Sequence, residues 1–548
     1  MIKIILAAIL VLSPVLSFAA DQLLYVRDGA TGTTCSDWAS GNACDQISTA
    51  EALVDRSTYD DVYIFVADGS YGKFVIDAAV SGTKRLHIKK ATVAAHGTET
   101  GWDNAYGDGQ AVIQAAAGGG DYNYTIQIHN TSYITIDGVA AATQSDPSTY
   151  GFKVMLAADF GDDPASTYRV NAITIGGTGH TSDTLTNIVL QYIASVGPTS
   201  EPTCSTVDGG CENESFYGAS SNMDTVEVHH CYSSGYVNNA RFERGSNISI
   251  HDNYFTTNRG SATGQHGQNL DMDALTGVSI YNNLFLNSFT FVIAIHANIG
   301  ITTGLKIYNN IIDGAQDSIS AGIASMSGQT DEYYGAEIHH NTFLNFPFGA
   351  KGAVYQYALT DAATNHSHAY NNLFYNCVNP IIADTVVVHD YNAYLKCTGT
   401  ITAEDNDQTD AGADDPFTDS ANGDYSLKSG TLPIDHGTTL AAAYDDDKAG
   451  VTRPKGTAWD MGAYEYEAPA GSWIVTFTTT SPCTASAAVA VANGATGEGT
   501  LTVPDAYKHG TTSSGTWSGN VVTTAAITAD TEVTLGCETR KYGGLVKP

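Results

Sequence analysis

The chain is poor in positive charge: 24 Lys and Arg stand against 58 Asp and Glu, a formal net charge of −34 over 548 residues. A nucleic-acid partner needs a basic footprint, so that class is set aside. A polyuronate would be repelled unless a cation bridged it, whereas an acidic surface by itself keeps an exported protein soluble. Long apolar runs are also scarce. Beyond the first residues no segment approaches the ~18 consecutive apolar residues of a membrane helix, so no integral span is expected in the mature protein. The cysteines lack CxxC spacing, which leaves no zinc or thioredoxin-like motif and no expected metal-ligand set. Outside roughly residues 46 to 56 there is no convincing amphipathic helix. With 55 glycines and abundant Thr, Ser and Asn, the chain reads as all-β.

The N-terminus, MIKIILAAILVLSPVLSFAADQ, places Lys3 before an apolar stretch and small residues at Ser17 and Ala19. This reads as a signal peptide over residues 1–19, cleaved after Ala19, and predicts a secreted or cell-surface bacterial protein. An uncleaved anchor is the alternative. The nine cysteines suit an oxidising compartment. The expected pairs are Cys35 with Cys44, Cys204 with Cys211, Cys377 with Cys397, and Cys483 with Cys537, leaving Cys231 over.

A chain this long is either several domains or one solenoid that buries its core coil by coil. An internal repeat decides for the solenoid. VEVHHCYSS from Val226, ISIHDNYFTTN from Ile248, VSIYNNLFLNS from Val278, LKIYNNIIDGA from Leu305, AEIHHNTFLNF from Ala336, SHAYNNLFYNC from Ser367 and VVHDYNAYLKC from Val387 share one pattern at intervals of about 20 to 31 residues. Apolar alternation marks a half-buried strand, and the Asn after it marks a fixed turn. Asn253, Asn283, Asn310, Asn341, Asn372 and Asn392 should therefore stack as a ladder, with Phe255, Phe285, Ile312, Phe343, Phe374 and Tyr394 stacked inside. Parallel coils about 4.8 Å apart produce such columns. Cys377 and Cys397 fall in one column, at a Cα separation a disulfide accepts, and are expected to be bonded.

These repeats, with the opening YVRDGATG, ISTAEALVD and YIFVADGSYGKFVID and the tract HGQNLDMDALTGVSIYNN, resemble the pectate-lyase-like right-handed parallel β-helix superfamily in its secreted bacterial form. The resemblance covers residues 20–425 and implies a capping helix at the N-terminal end of the solenoid. Residues 426–467, with Arg453-Pro454 and Asp460-x-Gly462, resemble the closing segment of choice-of-anchor surface proteins. Residues 468–471 read as a linker. Residues 472–548 resemble an immunoglobulin-like bacterial repeat module, a small β-sandwich.

Two constellations could carry chemistry. His229, His251, Tyr281, Tyr308, His339 and Tyr370 each follow the last inward apolar residue, so they point outward at one-coil spacing. Such a row could stack against the sugar rings of an extended glycan as a substrate-binding face, or simply stabilise parallel coils. The second appears eight residues before the last apolar position of the repeat. There Phe242 aligns with Met272, setting Arg241 beside Asp271 and Glu243 beside Asp273, all outward. His296 in the alternating VIAIHA strand joins this face, and His266 lies on the loop leading to it. Carboxylates with an Arg and a His suit glycoside hydrolysis, or elimination from a uronate with Ca²⁺ as the neutralising ion. A salt-bridge ladder is the alternative reading. Ca²⁺ is the one cofactor suggested, also by the acidic loops 403–416 and 444–450, neither of which fits an EF-hand.

The paired-Asp and Gly-His-Gly pattern of polygalacturonases and the Arg-rich signature of pectate lyases are both missing. The expectation is an exported β-helix that binds, and could cleave, an extracellular polysaccharide or cell-surface glycan. The competing expectation is a non-catalytic adhesin or structural rod.

Overall fold

In the computed structural model, residues 20–467 are described except 116–122, 141–142, 157–169, 178, 198–212, 260–266, 315–320, 326–332, 348–351, 357–365 and 384–386, together with most of 472–539. The signal-peptide expectation and the Cys204–Cys211 pair lie outside these residues.

Three parallel sheets run the length of the solenoid, two of 12 strands and one of 10, and each coil contributes a strand to each sheet in turn. One coil shows the route. Asn238–Glu243 lies in the third sheet, Ser246–His251 in the first and Tyr254–Thr256 in the second, and Gln268–Asp273 then re-enters the third beside Asn238–Glu243. The protein is a right-handed parallel β-helix. At the N-terminal end the short helix Ile47–Glu51 buries Ile47 and Ala50 against the first coils, and the Cys35–Cys44 disulfide forms as expected.

The corner between the first and second sheets explains the repeat. The residue before the ladder position takes a left-handed backbone, with φ of 54° at Asp252, 56° at Asn282, 54° at Asn309 and 56° at Asn371. Asn and Asp tolerate that region better than other non-glycine residues. The following Asn then turns inward, fully buried. Each ladder amide donates to the amide oxygen of the next coil, from Asn253 through Asn283, Asn310, Asn341 and Asn372 to Asn392, at 3.0–3.1 Å. Its second N–H donates to the carbonyl of the preceding coil, Ile280 in the case of Asn310 at 2.9 Å. Cys231 occupies the ladder position one coil earlier, where its backbone N–H donates to Asn253 Oδ1 at 2.9 Å. The last ladder Asn, Asn392, gives its N–H to the Asp407 carboxylate at 2.7 Å. Behind the ladder the expected column forms, with Phe255 beside Phe285, then Ile312, Phe343, Phe374 and Tyr394 in register.

The Cys377–Cys397 expectation needs correction. Both cysteines are buried in one column, but both are free thiols. Cys377 Sγ is 3.4 Å from the Tyr375 carbonyl, and Cys397 Sγ lies 3.4 Å from those of Phe374 and Leu395. Stacked side chains in parallel coils keep their Cα–Cβ vectors parallel, whereas a disulfide needs the two Cβ atoms drawn to roughly 3.8 Å. A Cα spacing within disulfide range does not by itself join two stacked cysteines.

Residues 426–467 do not extend the solenoid. They fold back over it together with the hairpin Phe417–Leu427 that precedes them, covering outward apolar residues of the second sheet: Ile311, Leu344, Leu373 and Leu395 share a core with Phe417, Tyr425, Leu427, Ile434 and Met461. The Arg453 and Asp460 motifs form the clasp of this segment. Arg453 Nη1 meets Glu465 Oε2 at 3.0 Å with both side chains sealed from solvent, and its other nitrogen donates to the Gly462 carbonyl at 3.1 Å. The Asp460 carboxylate accepts from the backbone N–H groups of Asp435 and Tyr466.

Residues 472–539 form two four-stranded sheets, mainly antiparallel, with Ser472–Thr479 parallel to Thr531–Thr539. Cys483 is disulfide-bonded; the side chain of its expected partner, Cys537, lies outside the described residues. Among the described residues no helix is long and apolar enough to cross a membrane.

Candidate functional site

The third sheet brings the expected cluster together. Its register pairs Arg241 with Asp271 and Glu243 with Asp273, and the next coil sets His296 beside Asp273. Strand alternation turns all five side chains to the outer face. Asp271 is the hub: one oxygen is 3.5 Å from Arg241 Nη1, the other 3.3 Å from His296 Nε2. Arg241 also grips Glu243 Oε1 at 2.5 Å through Nη2. Asp273 accepts the Ile299 and Gly300 N–H groups at 3.2–3.3 Å. His266 lies outside the described residues.

The same face holds residues that sequence reasoning missed. Glu214 Oε1 is 3.9 Å from Arg241 Nη1, and the Tyr217 hydroxyl donates to Glu243 Oε2 at 3.2 Å. Asn238 stands beside Glu214 in the register, buried, with an Oδ1 that finds no hydrogen-bond donor. The signal was present but displaced. Tyr217 pairs with Arg241, but the turn from the third to the first sheet is two residues longer in its coil, so counting back eight positions misses it; Glu214 pairs with Asn238, outside the positions that count reaches.

Negative charge dominates this face, and water is largely kept from it. Relative exposure is 0% for Glu214, 9% for Glu243, 4% for Asp271 and 3% for Asp273. Burial therefore pushes the Asp273 carboxyl above the usual carboxylate range, with Glu243 adding to the rise and the Ile299 and Gly300 N–H groups and His296 opposing it. The arrangement offers two neighbouring carboxyls in different environments: one between the Arg241 guanidinium and the His296 imidazole, the other held towards its proton. Such a division suits acid–base work.

The outward column on the first sheet also forms in register, from His229 through His251, Tyr281, Tyr308 and His339 to Tyr370. Rings stack face to face from His229 to Tyr308, with centroids 4.5–5.0 Å apart. The column is not an open platform throughout. Tyr444 of the folded-back segment lies edge-on to both Tyr308 and His339, 5.0 Å from each, and its hydroxyl donates to Glu337. His339 is thereby buried, and desolvation holds its pKa at about 4. His251 sits between Glu227 and Asp252 at 2.8 and 2.7 Å. Burial opposes its protonation, but the two carboxylates outweigh it and raise its pKa.

A cavity of about 180 Å³ opens at the corner beside this column, lined by Gln144, Tyr150, Tyr192, His230 and Asp252. The buried Lys448 ammonium donates to the Asn282 carbonyl nearby, and desolvation brings it down to about 8. The column and cavity belong to the first sheet and the acidic cluster to the third, so they are separate sites.

The acidic loops use their carboxylates on their own backbone. Asp410 accepts from Gly412, Asp415 from Phe417, and Asp447 from Ala449, Val451 and Glu465. Among the described residues, the one group of three side chains close enough to share a metal ion is His129, His180 and Asp183.

No family model matches the chain, and no curated protein matches it. Solved structures of similar fold include the pectate lyase Pel9A, at 11% identity and TM-score 0.48, covering 82% of this chain and 98% of that one. A PL6 family polysaccharide lyase, Pedsa3628 from Pseudopedobacter saltans, matches at 11% identity and TM-score 0.36, covering 73% and 97%. The surface protein and adhesin PfbA of Streptococcus pneumoniae matches at 11% and 0.29, covering 66% and 92%. Likenesses of this strength run alongside the solenoid already described and assign it no chemistry.

Proposed function

We propose that the protein is an exported glycan-acting β-helix that hydrolyses a neutral or weakly charged extracellular polysaccharide on the outer face of its third sheet. The observation that carries this reading is the Asp271 carboxylate held between Arg241 and His296, with the burial-raised Asp273 two residues further along the same strand. In the reaction, Asp273 gives its proton to the departing glycosidic oxygen while water attacks the anomeric carbon. The water proton passes to Asp271, which Arg241 and His296 keep oriented. Glu214, Glu243 and Asp271 against one arginine repel a polyuronate, so elimination is disfavoured unless a cation such as Ca²⁺ bridges the substrate.

A non-catalytic rod or adhesin is the second reading, and one feature favours it. The carboxylates are nearly sealed from solvent, and the Arg241–Glu243 contact already satisfies two of the charged groups. A panel of purified polysaccharides, with and without Ca²⁺, separates the readings. Hydrolysis yields new reducing ends without the ultraviolet absorbance of unsaturated products. Unsaturated products would replace hydrolysis by elimination, and an absence of both, with retardation in glycan gels, would leave a binding rod.

A further inference from the structure

The geometry points to a transition-metal site built by His129, His180 and Asp183 at the corner between the third and first sheets. The three side chains come from two successive coils, and each offers a ligand atom within 4.8 Å of the others. Their convergence is built into the backbone. The register pairs Ile128 with Ile175, so His129 leaves the sheet beside Gly176. Gly176, Gly177 and Gly179 take left-handed φ of 73°, 88° and 82°, turning the chain back so that His180 lies over His129 with ring centroids 4.0 Å apart. A side chain at Gly177 would also strike Thr174 Cγ2, at 2.8 Å from its Cβ. The His180 N–H donates to the Gly177 carbonyl at 2.9 Å and fixes the loop.

Asp183 is held just as firmly. Its Oδ2 is 3.1 Å from His180 Nδ1 and accepts the Asn130 N–H at 2.9 Å, while Ser220 Oγ donates to its carbonyl at 2.7 Å. Two imidazoles and one carboxylate, half-buried at the edge of a rigid sheet, form a nitrogen-rich donor set. Ca²⁺ and Mg²⁺ demand oxygen cages, whereas Zn²⁺ and its neighbours take such His₂Asp sets and leave a fourth position for water or an outside ligand. The site also has a place relative to the acidic cluster. Gly176 pairs with Ala219 and Ala219 with Glu243, so His129 lies about three coil rises, roughly 14 Å, along the outward column of Glu243 and Asp273. A metal here would sit on the same face as a glycan laid along that column.

The test uses the full-length mature protein, stripped with chelator and titrated with Zn²⁺ in a calorimeter, with Co²⁺ absorption as a coordination reporter. The expected result is one Zn²⁺ per chain, a rise in melting temperature, and Co²⁺ d–d bands of a four- or five-coordinate site. His129→Gln and His180→Gln should each weaken Zn²⁺ binding at least ten-fold and abolish those bands, with the metal-free melting temperature essentially unmoved. Asp183→Asn, which retains a hydrogen-bonding oxygen, should weaken binding less than the histidine changes and serves as the check if either of those fails to fold. Absence of saturable binding overturns the site, and so does binding that these variants leave intact. Because the readout is metal binding, it stands or falls independently of polysaccharide hydrolysis.

Discussion

The side-chain amide of Asn283 donates to the amide oxygen of Asn310 at 3.0 Å, across 27 residues of sequence. The same oxygen also accepts the backbone N–H of Asn283 at 2.9 Å, and the Asn310 amide donates onward to Ile280 and Asn341. Replacing Asn310 by Ala leaves that buried N–H and the Asn283 amide short of acceptors. Each unmet buried group costs about 1–3 kcal/mol. Asn310→Ala should therefore lose about 2–5 kcal/mol, read as a lowered denaturation midpoint.

Histidines buried without charge make the fold acid-sensitive. Burial holds His229 and His339 at about 4, and desolvation with the nearby Arg453 holds His340 well below its ordinary value. Between about pH 6.5 and 4 the unfolded chain therefore binds more protons at these positions than the folded chain. Stability falls as pH falls through that window, by up to about 1.4 kcal/mol per pH unit for each histidine. His251, with a raised pKa, contributes in the opposite sense: its stabilisation is full below about 6.5 and fades as pH rises through its folded value. His339→Gln should flatten the acid limb of a melting-temperature profile, and an unchanged limb would contradict its assignment.

Arg453 and Glu465 clasp the folded-back segment at 3.0 Å with no solvent access. Removing one partner of a buried pair strands the other, a loss of about 3–5 kcal/mol. Arg453→Met should release residues 426–467 to protease and shift the fluorescence of Trp459, which lies against His340 at 5.3 Å. The double change with Glu465→Leu should recover part of the loss.

Cys377 and Cys397 are free thiols, and Cys35–Cys44 is a disulfide. Alkylation of the unfolded chain without reductant should label the first two and spare the second pair. A peptide joining Cys377 to Cys397 in the mass spectrum would contradict this assignment.

Whatever repeats with the coil was legible in the sequence. The ladder, the inner aromatic column, the outward ring column and the pairing of Arg241 with Asp271 all follow from a fixed offset, because parallel register converts equal position in the repeat into contact. Features that break the period were not legible. Cys231 fills a ladder position without an amide, a turn lengthened by two residues hid Tyr217, and Glu214 pairs with Asn238, outside the aligned positions. Tyr444 covers Tyr308 and His339 from a segment with no repeat of its own, so the outward column looked more open than it is. His129, His180 and Asp183 meet through a glycine loop whose path depends on backbone dihedrals, not on hydrophobic alternation.

The most direct test of the catalytic reading is the turnover of Asp271→Asn beside its melting temperature, on whichever polysaccharide the wild-type protein hydrolyses. Asn keeps the shape and one acceptor oxygen but cannot take the proton from water. The account predicts a loss of turnover of about 10²-fold or more with melting changed by only a few degrees. Turnover within a few-fold of wild type, or a wild-type protein that releases no reducing ends from any glycan, would contradict it.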